Sequence, residues 1–298
     1  MAIEQGQTGT EANMESQLPT IAEIRASTDA LTAAGRSTTV VRVGQHFAVK
    51  FGLGQDLREA ETMRYVRKHC SNVLVPKVYG TLVDESTGHH FIVMEYLAGE
   101  TLEKCLPFLD TAEKAEVCRQ LKCALEELRG LPSPGYIGSV RRSSCMDSIF
   151  WTPPPVDPPS SGPFDTESEM NEGILKCLAR TESASYITFL RSLVQTTLRD
   201  HRVCFAHADL QAKNIMITRT PRKVASGTTG GDQTCETDVK VYIIDWEMAG
   251  WYPEYWEFCN ASFLARFKPA WQEIVSESID AYVPEYLMMQ VLRGILLY

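Results

Sequence analysis

Long apolar runs, paired cysteines and an excess of positive charge are all missing from these 298 residues. No stretch approaches the roughly 20 apolar residues needed to cross a bilayer, which excludes a helical membrane-spanning protein, and no membrane partner is expected. The opening stretch, MAIEQGQTGTEANMESQLPT, lacks the basic start and apolar block of a secretory signal. It reads instead as part of a polar, partly disordered leader over residues 1–36, on a chain expected in the cytoplasm. Nine cysteines form no CxxC pair, and their odd number without a signal argues for reduced thiols. Cys118 and Cys123 fall on a predicted helix, but nothing near them completes a zinc site. With 29 basic against 38 acidic residues, the net charge of −9 disfavours a nucleic-acid partner, because phosphate backbones need a basic face. A small cationic ligand is compatible with that charge.

What is present is an ordinary globular composition, 44% apolar and 22% charged, long enough for one large domain or two lobes. Residues 37–97 read as β-β-α-β-β. STTVVRVGQHFAVKFG is two strands around a turn at Gly44–Gln45, and DLREAETMRYVRKHC is a helix with Asp56 at its N-cap. PKVYGTLVD and HHFIVMEYL are two more strands around ESTG. Residues 98–298 are mainly helical. Helical patterns cover 111–131, 166–179, 183–199, 253–268 and 271–297, and Ala115, Cys118, Leu121, Cys123, Leu125 and Leu128 share a face of the first. Thr111 with Lys114 misses a capping box there. Prolines in WTPPPVDPPSSGP forbid regular helix, leaving a long loop. The fold class is α+β: a small antiparallel sheet with one helix, then a larger helical part.

Two short apolar β runs, Asn214-Ile-Met-Ile-Thr and Val239-Lys-Val-Tyr-Ile-Ile-Asp245, flank a segment rich in Gly, Thr and Ser. The simplest arrangement is an antiparallel hairpin with a disordered tip over 219–238. Such a hairpin makes Asn214 and Asp245 neighbours and leaves Asp209 at the same end. Oxygen-bearing groups of this kind suit Mg²⁺, which is held by one or two such ligands plus substrate phosphates. Asp209 is then free to receive a proton from a hydroxyl. The spacing His207-x-Asp209-x-x-x-x-Asn214, followed by a strand ending in Asp245, is the arrangement kinases use. The bland alternative makes Asp209 and Asn214 turn formers and Asp245 a strand-end cap. Against it stands FAVKF, which puts Lys50 mid-strand as a phosphate ligand, with Glu59 or Glu61 on the next helix to pair with it.

Together these segments resemble the aminoglycoside phosphotransferase-like branch of the protein-kinase-like fold, particularly its fungal and choline-kinase-related members. The resemblance is carried by VK at Val49–Lys50, EAETMRYVRKH from Glu59, VPKVYG from Val75, FIVMEYLAGETL from Phe91, GPFDTESEMN from Gly162, HADLQAKNIMI, and IIDWEMAGWYPEYWE from Ile243. It implies a bilobal fold, with residues 37–97 as the nucleotide-binding lobe and 98–298 as the lobe carrying the catalytic loop and acceptor pocket. It implies Asp209 as the catalytic base, Asn214 and Asp245 as magnesium ligands, and Lys50 on the phosphates, oriented by Glu59 rather than Glu61. Main-chain groups of 94–97, Glu95 and Leu97 among them, would meet the purine, and His207 would brace the catalytic loop. The acceptor pocket would include Glu247, Trp251, Tyr252 and Glu257, covered by the loop at 151–164.

Two departures stand out. The glycine-rich GxGxxG loop of protein kinases is absent, only Gly44 marking the first turn, and Asp245-Trp-Glu247 replaces D-F-G. The implied activity is Mg²⁺-dependent transfer of the γ-phosphoryl group of ATP or GTP to a hydroxyl of an aminoglycoside-, amino-sugar- or choline-like molecule, by a monomer. The alternative is a pseudokinase of the same fold acting as a scaffold.

Overall fold

The structure is a computed structural model that describes residues 18–32, 38–53, 55–150, 161–223, 235–263 and 268–296. The leader up to residue 17, most of the proline-rich loop (151–160) and the hairpin tip at 224–234 lie outside the described residues. The chain divides into two compact units, Met1–Lys68 with Val75–Ala98, and His69–Leu74 with Gly99–Tyr298.

The first unit is built on strands β1 (Thr39–Val43), β2 (Phe47–Leu53), β3 (Val78–Asp84) and β4 (His89–Glu95), in the antiparallel order β1-β2-β4-β3. β-Branched and aromatic residues dominate these runs, as a pleated half-buried surface requires. Gly44 takes a left-handed φ of +62° in the β1–β2 turn, where it bears no Cβ penalty. Helix α1 (Ile21–Ala26) opens with a Thr20/Glu23 capping box and seats Ile24 against Val41, Val49, Phe91 and Val93, all buried. Helix α2 (Arg58–His69) begins where the Asp56 carboxylate accepts the Arg58 N–H at 2.8 Å. It buries Ala60, Met63 and Val66 at helical spacing, which at about 1.5–3 kcal/mol per large apolar side chain gives the helix its footing.

The second unit carries a three-stranded sheet, β5 (Glu100–Thr101), β7 (Ile215–Lys223) and β8 (Cys235–Ile243), in the order β5-β7-β8. A separate ribbon pairs β6 (Val203–Ala206) with β9 (Gly250–Pro253). Around them stand α3 (Leu102–Cys105), α4 (Thr111–Arg129), α5 (Glu167–Leu178), α6 (Ala184–Thr197), α7 (Trp256–Phe263), α8 (Pro269–Ser278) and α9 (Val283–Leu296). Helix α4 buries Val117, Cys118, Leu121, Ala124, Leu125 and Leu128, while Ala115 and Cys123 fall outside that stripe. Its capping box starts one residue earlier than Thr111. The Asp110 carboxylate accepts the Glu113 N–H at 2.8 Å, and Glu113 accepts the Asp110 N–H in return. Asp110→Ala should therefore lower stability by about 1 kcal/mol, read as a shift in urea midpoint with an unchanged m-value.

The β7/β8 ladder is longer than the sequence suggested. Nine residues pair on each side, from Ile215 with Ile243 to Lys223 with Cys235, so 219–223 and 235–238 are strand rather than loop. On the outer side of β8, Gln120 of α4 accepts the Val241 N–H through Oε1 and donates Nε2–H to the Val239 carbonyl. Just beyond, the Leu74 carbonyl accepts the Ile243 N–H. The helix expected over 271–297 is in fact two, because Pro284 lacks an N–H and fits only the first turn of a helix, which α9 therefore starts there. Likewise 250–253 is a strand. Its Trp251 bonds through both main-chain groups to Gly138, and a Cβ on Gly250 would lie 2.5 Å from the Gly138 carbonyl oxygen. Among the described residues, no helix is long and apolar enough to cross a membrane.

Candidate functional site

In the second unit, β6 runs into a loop that begins at His207, passes through a 3-10 turn at Ala212–Asn214, and enters β7. The Ile244 N–H donates to the Asn214 carbonyl at 2.9 Å, so Asn214 and Asp245 sit at the same end of the hairpin. The loop is held from several sides. His207 is wholly buried, and its ring lies edge-on to Trp246 at 4.7 Å. Its Nδ1 accepts the Asp209 N–H at 3.3 Å, which fixes the proton on Nε2, and Nε2 donates to the Ile244 carbonyl at 3.0 Å. Both ring nitrogens are thus spent on backbone groups, tying the loop to the end of β8.

The Asp209 carboxylate is one-fifth exposed and has a separate donor for each oxygen. Gln211 Nε2 donates to Oδ1 at 2.5 Å, and Asn214 Nδ2 donates to Oδ2 at 2.8 Å and also to the Asp209 carbonyl at 2.9 Å. Lys213 Nζ stands 3.4 Å from Oδ2. Because Nδ2 carries both bonds, the amide oxygen of Asn214 is left as its group for a cation. Asp245 adopts a left-handed conformation (φ 67°, ψ 60°) at the start of the 3-10 turn Trp246–Met248, and Glu247 on that turn is exposed. An amide oxygen and a carboxylate at one strand end form the hard-oxygen set that suits Mg²⁺.

Trp251, Tyr252 and Glu257, expected along an acceptor pocket, have their side chains in the interior. Trp251 packs edge-on against Tyr136 and Phe205, and Tyr252 stacks on Trp256 at 5.0 Å while donating its hydroxyl to the Met248 carbonyl. The reason is β9, a strand buried on both faces, which seats these rings in the core. Glu257 on α7 is 4% exposed and turns to the backbone of this loop, where Oε2 accepts the His207 N–H at 2.5 Å and the Ala208 N–H at 3.4 Å. Burial pushes the Glu257 carboxyl up, against the lowering effects of His207 and the two N–H groups.

Beneath the loop lies a second set that sequence reasoning missed. Asn260 donates Nδ2–H to the Ala208 carbonyl at 2.6 Å and to Asp147 Oδ2 at 2.8 Å, and its Oδ1 accepts from Arg293 at 2.5 Å. Asp147 Oδ2 also accepts from Arg293 at 2.8 Å and from Trp256 Nε1 at 3.0 Å, while Oδ1 accepts the Ile149 N–H. Burial alone would raise the Asp147 carboxyl, but Arg293, the Ile149 N–H and Asn260 outweigh it and hold it below its ordinary value. A lone arginine within the apolar run of α9 was the available signal for this network.

In the first unit, Lys50 and Glu59 form a buried ion pair at 2.8 Å, and Gln55 Nε2 donates to the same Glu59 oxygen at 2.9 Å. Lys50 lies opposite Ile92 in the sheet and is 6% exposed. The N–H groups of Glu95 and Tyr96 are taken by the Lys77 and His46 carbonyls, both at 2.8 Å, so Leu97 bears the next donor along the chain.

The model of the phosphotransferase enzyme family matches residues 32–227, which is 196 of the 298. Among solved structures, the GDP complex of aminoglycoside 2'-phosphotransferase-IIIa aligns with a TM-score of 0.56 at 13% identity, covering 98% of this chain and 90% of that one. A thermostable mutant of aminoglycoside phosphotransferase APH(4)-Ia, bound to ADP and hygromycin B, gives 0.55 at 14% identity over 93% and 90%. A putative fructosamine-3-kinase from Haemophilus somnus gives 0.55 at 14% over 89% and 81%. Each shares the α+β kinase-like fold. No curated protein sequence matches the chain significantly.

Proposed function

Because this chain belongs to the phosphotransferase enzyme family, we propose that it moves the γ-phosphoryl group of ATP or GTP to a hydroxyl of a small molecule. The observation that carries this reading is the Asp209 carboxylate, held by Gln211 and Asn214 at the hairpin end that also bears Asp245. Similar proteins have been solved with ADP or GDP, which supports a nucleotide as co-substrate.

In this reading Asp209 orients the acceptor hydroxyl and receives its proton. The two side-chain donors that fix its oxygens give it one orientation before substrate arrives, which is where most of the rate gain in phosphoryl transfer originates. Asn214 Oδ1 and the Asp245 carboxylate would hold Mg²⁺, which supplies charge neutralisation at the phosphate oxygens. Lys50, kept in place by Glu59 and Gln55, binds phosphate. Main-chain groups of Glu95 and Leu97 meet the purine edge, Leu97 as donor. Glu247, exposed beside Asp245, favours a cationic acceptor such as an aminoglycoside, an amino-sugar or a choline-like amine, in keeping with a net charge of −9. The fungal and choline-kinase-related members of the family are the group this acceptor class fits.

The test is nucleotide consumption across those three acceptor classes, with Asp209→Asn as the blank. Consumption that no acceptor stimulates, with no thermal shift from MgATP or MgGTP, would favour the pseudokinase alternative. Asp245→Ala should weaken nucleotide binding about tenfold or more in Mg²⁺ and change little in EDTA, a range typical of damaged metal sites. Equal titrations in Mg²⁺ would remove Asp245 from the metal site.

A further inference from the structure

We infer that Asn260 is a positioning residue: opposite the Glu257 bond already described, it completes a clamp on the Ala208 main chain that aims Asp209, with Asp147 and Arg293 locking the clamp's orientation. The inference rests on the phosphotransfer reading for what Asp209 does, but the clamp is argued from geometry alone.

Ala208 is left-handed, with φ at +65°. A non-glycine residue there costs on the order of 1–3 kcal/mol and persists only where its surroundings over-determine it. Both its polar main-chain groups are taken by side chains one turn apart on α7. Glu257 Oε2 accepts its N–H at 3.4 Å along with the His207 N–H at 2.5 Å, and Asn260 Nδ2 donates to its carbonyl at 2.6 Å. Residues i and i+3 share a helix face, so a single short helix grips the main chain on both sides of one residue.

The grip has a fixed sense because of what lies behind it. Asn260 Oδ1 faces the Arg293 guanidinium, and Nδ2 faces the Asp147 carboxylate. Rotating the amide by half a turn would set donor against donor and acceptor against acceptor, leaving the Ala208 carbonyl without its bond. Arg293 and Asp147 are 11% and 0% exposed in their side chains, so this polarity is felt in a weakly screened interior. The arrangement is costly as a stabilising device, since Arg293 Nε is buried and has no hydrogen-bond partner among the described residues. Its specific product is one orientation for Asn260, hence one conformation for Ala208 and one aim for Asp209.

Four variants and two readouts test the clamp. Asn260→Ala removes the donor. Glu257→Leu keeps bulk but loses the acceptor, and Glu257→Gln keeps an acceptor oxygen. Asp209→Asn marks the chemistry. Backbone amide exchange, followed by NMR in the full chain, should rise at least tenfold at 207–209 relative to 204–206 in Asn260→Ala and Glu257→Leu, and stay near wild type in Glu257→Gln. Nucleotide turnover should fall roughly 10–100-fold in kcat in the first two with KM for nucleotide within twofold, as for a misplaced catalytic group, and by less than about threefold in Glu257→Gln. Unchanged exchange at 207–209 overturns the clamp, as does faster exchange with full kcat. Loss in Glu257→Gln equal to that in Glu257→Leu overturns it too. If Glu257→Leu fails to fold, Asn260→Ala decides alone. Full turnover in Asp209→Asn would sink the phosphotransfer reading instead, and the exchange data would still decide the clamp.

Discussion

Asp209→Asn should reduce kcat by roughly 10²–10⁴ while the melting temperature holds nearly constant. The range corresponds to about 3–5 kcal/mol of barrier. An amide at this position keeps one acceptor oxygen for Gln211 and keeps the side-chain shape. It loses the charge and the proton-accepting power at the second oxygen, where Asn214 Nδ2 and Lys213 Nζ converge. That second oxygen becomes an NH₂ facing two donors, so Asn214 is disturbed as well. Asp209→Ala separates the two effects, because it removes the base without opposing Asn214. Equal losses in both variants assign the effect to the missing carboxylate, and a much larger loss in Asn assigns part of it to Asn214. The measurement is steady-state nucleotide turnover with the best acceptor, paired with a nucleotide titration of each variant. Turnover within threefold of wild type in Asp209→Ala would exclude Asp209 as the base.

Arg293→Met should cost about 3–5 kcal/mol of stability, the range for removing one partner of a buried ion pair. Methionine fills much of the space beside Trp256 and Phe263, the rings that flank the guanidinium at 6.0 and 5.6 Å. Packing loss is therefore the smaller part. The larger part is Asp147, fully buried and left with only neutral donors from Ile149, Trp256 and Asn260. Adding Asp147→Asn should recover part of the loss, since the uncompensated charge is gone, and a double-mutant cycle by urea denaturation reads the coupling. A midpoint unchanged within error in Arg293→Met would show that the pair contributes nothing net. The wild-type pH dependence follows from the same group. The Asp147 carboxyl is held below its ordinary value in the folded state. Its contribution is therefore complete above about pH 4, where the unfolded group titrates, and is lost as pH falls through the lower folded value.

The two functional halves were legible in the sequence to different depths. Strand pairs in the first unit could be read from β-branched runs bounded by Gly44 and ESTG, because turn chemistry and the period of two act locally. The hairpin that joins Asn214 to Asp245 could be read for the same reason, despite the length of the segment between them. The length of its ladder is hidden because Thr, Arg and Lys at 218–223 look like loop when only apolar content is counted, whereas backbone pairing needs no apolar side chains. In sequence, Trp251 and Tyr252 fit a pocket wall and a core equally well, and it is the pairing of β9 with β6 that seats their rings in the interior. Glu257 illustrates the sharper limit. A buried carboxylate serving main-chain N–H groups leaves no periodic trace, and its partners His207 and Ala208 are some fifty residues away. Asp147, Asn260 and Arg293 meet only through tertiary folding, so no window of sequence contains the network.

Gln120 has a bearing on how an open sheet edge is closed. β8 is the last strand of its sheet, and such an edge presents a row of unsatisfied groups to which another chain's strand can add, the starting point for aggregation. Here the side-chain amide of Gln120 stands in for the missing strand, matching the Val241 N–H with an acceptor and the Val239 carbonyl with a donor, while Leu74 covers Ile243. The stretch of β8 nearest Asp245 is thereby closed to strand addition by a helix that never becomes part of the sheet. One side-chain amide and one main-chain carbonyl do there what a neighbouring strand would do.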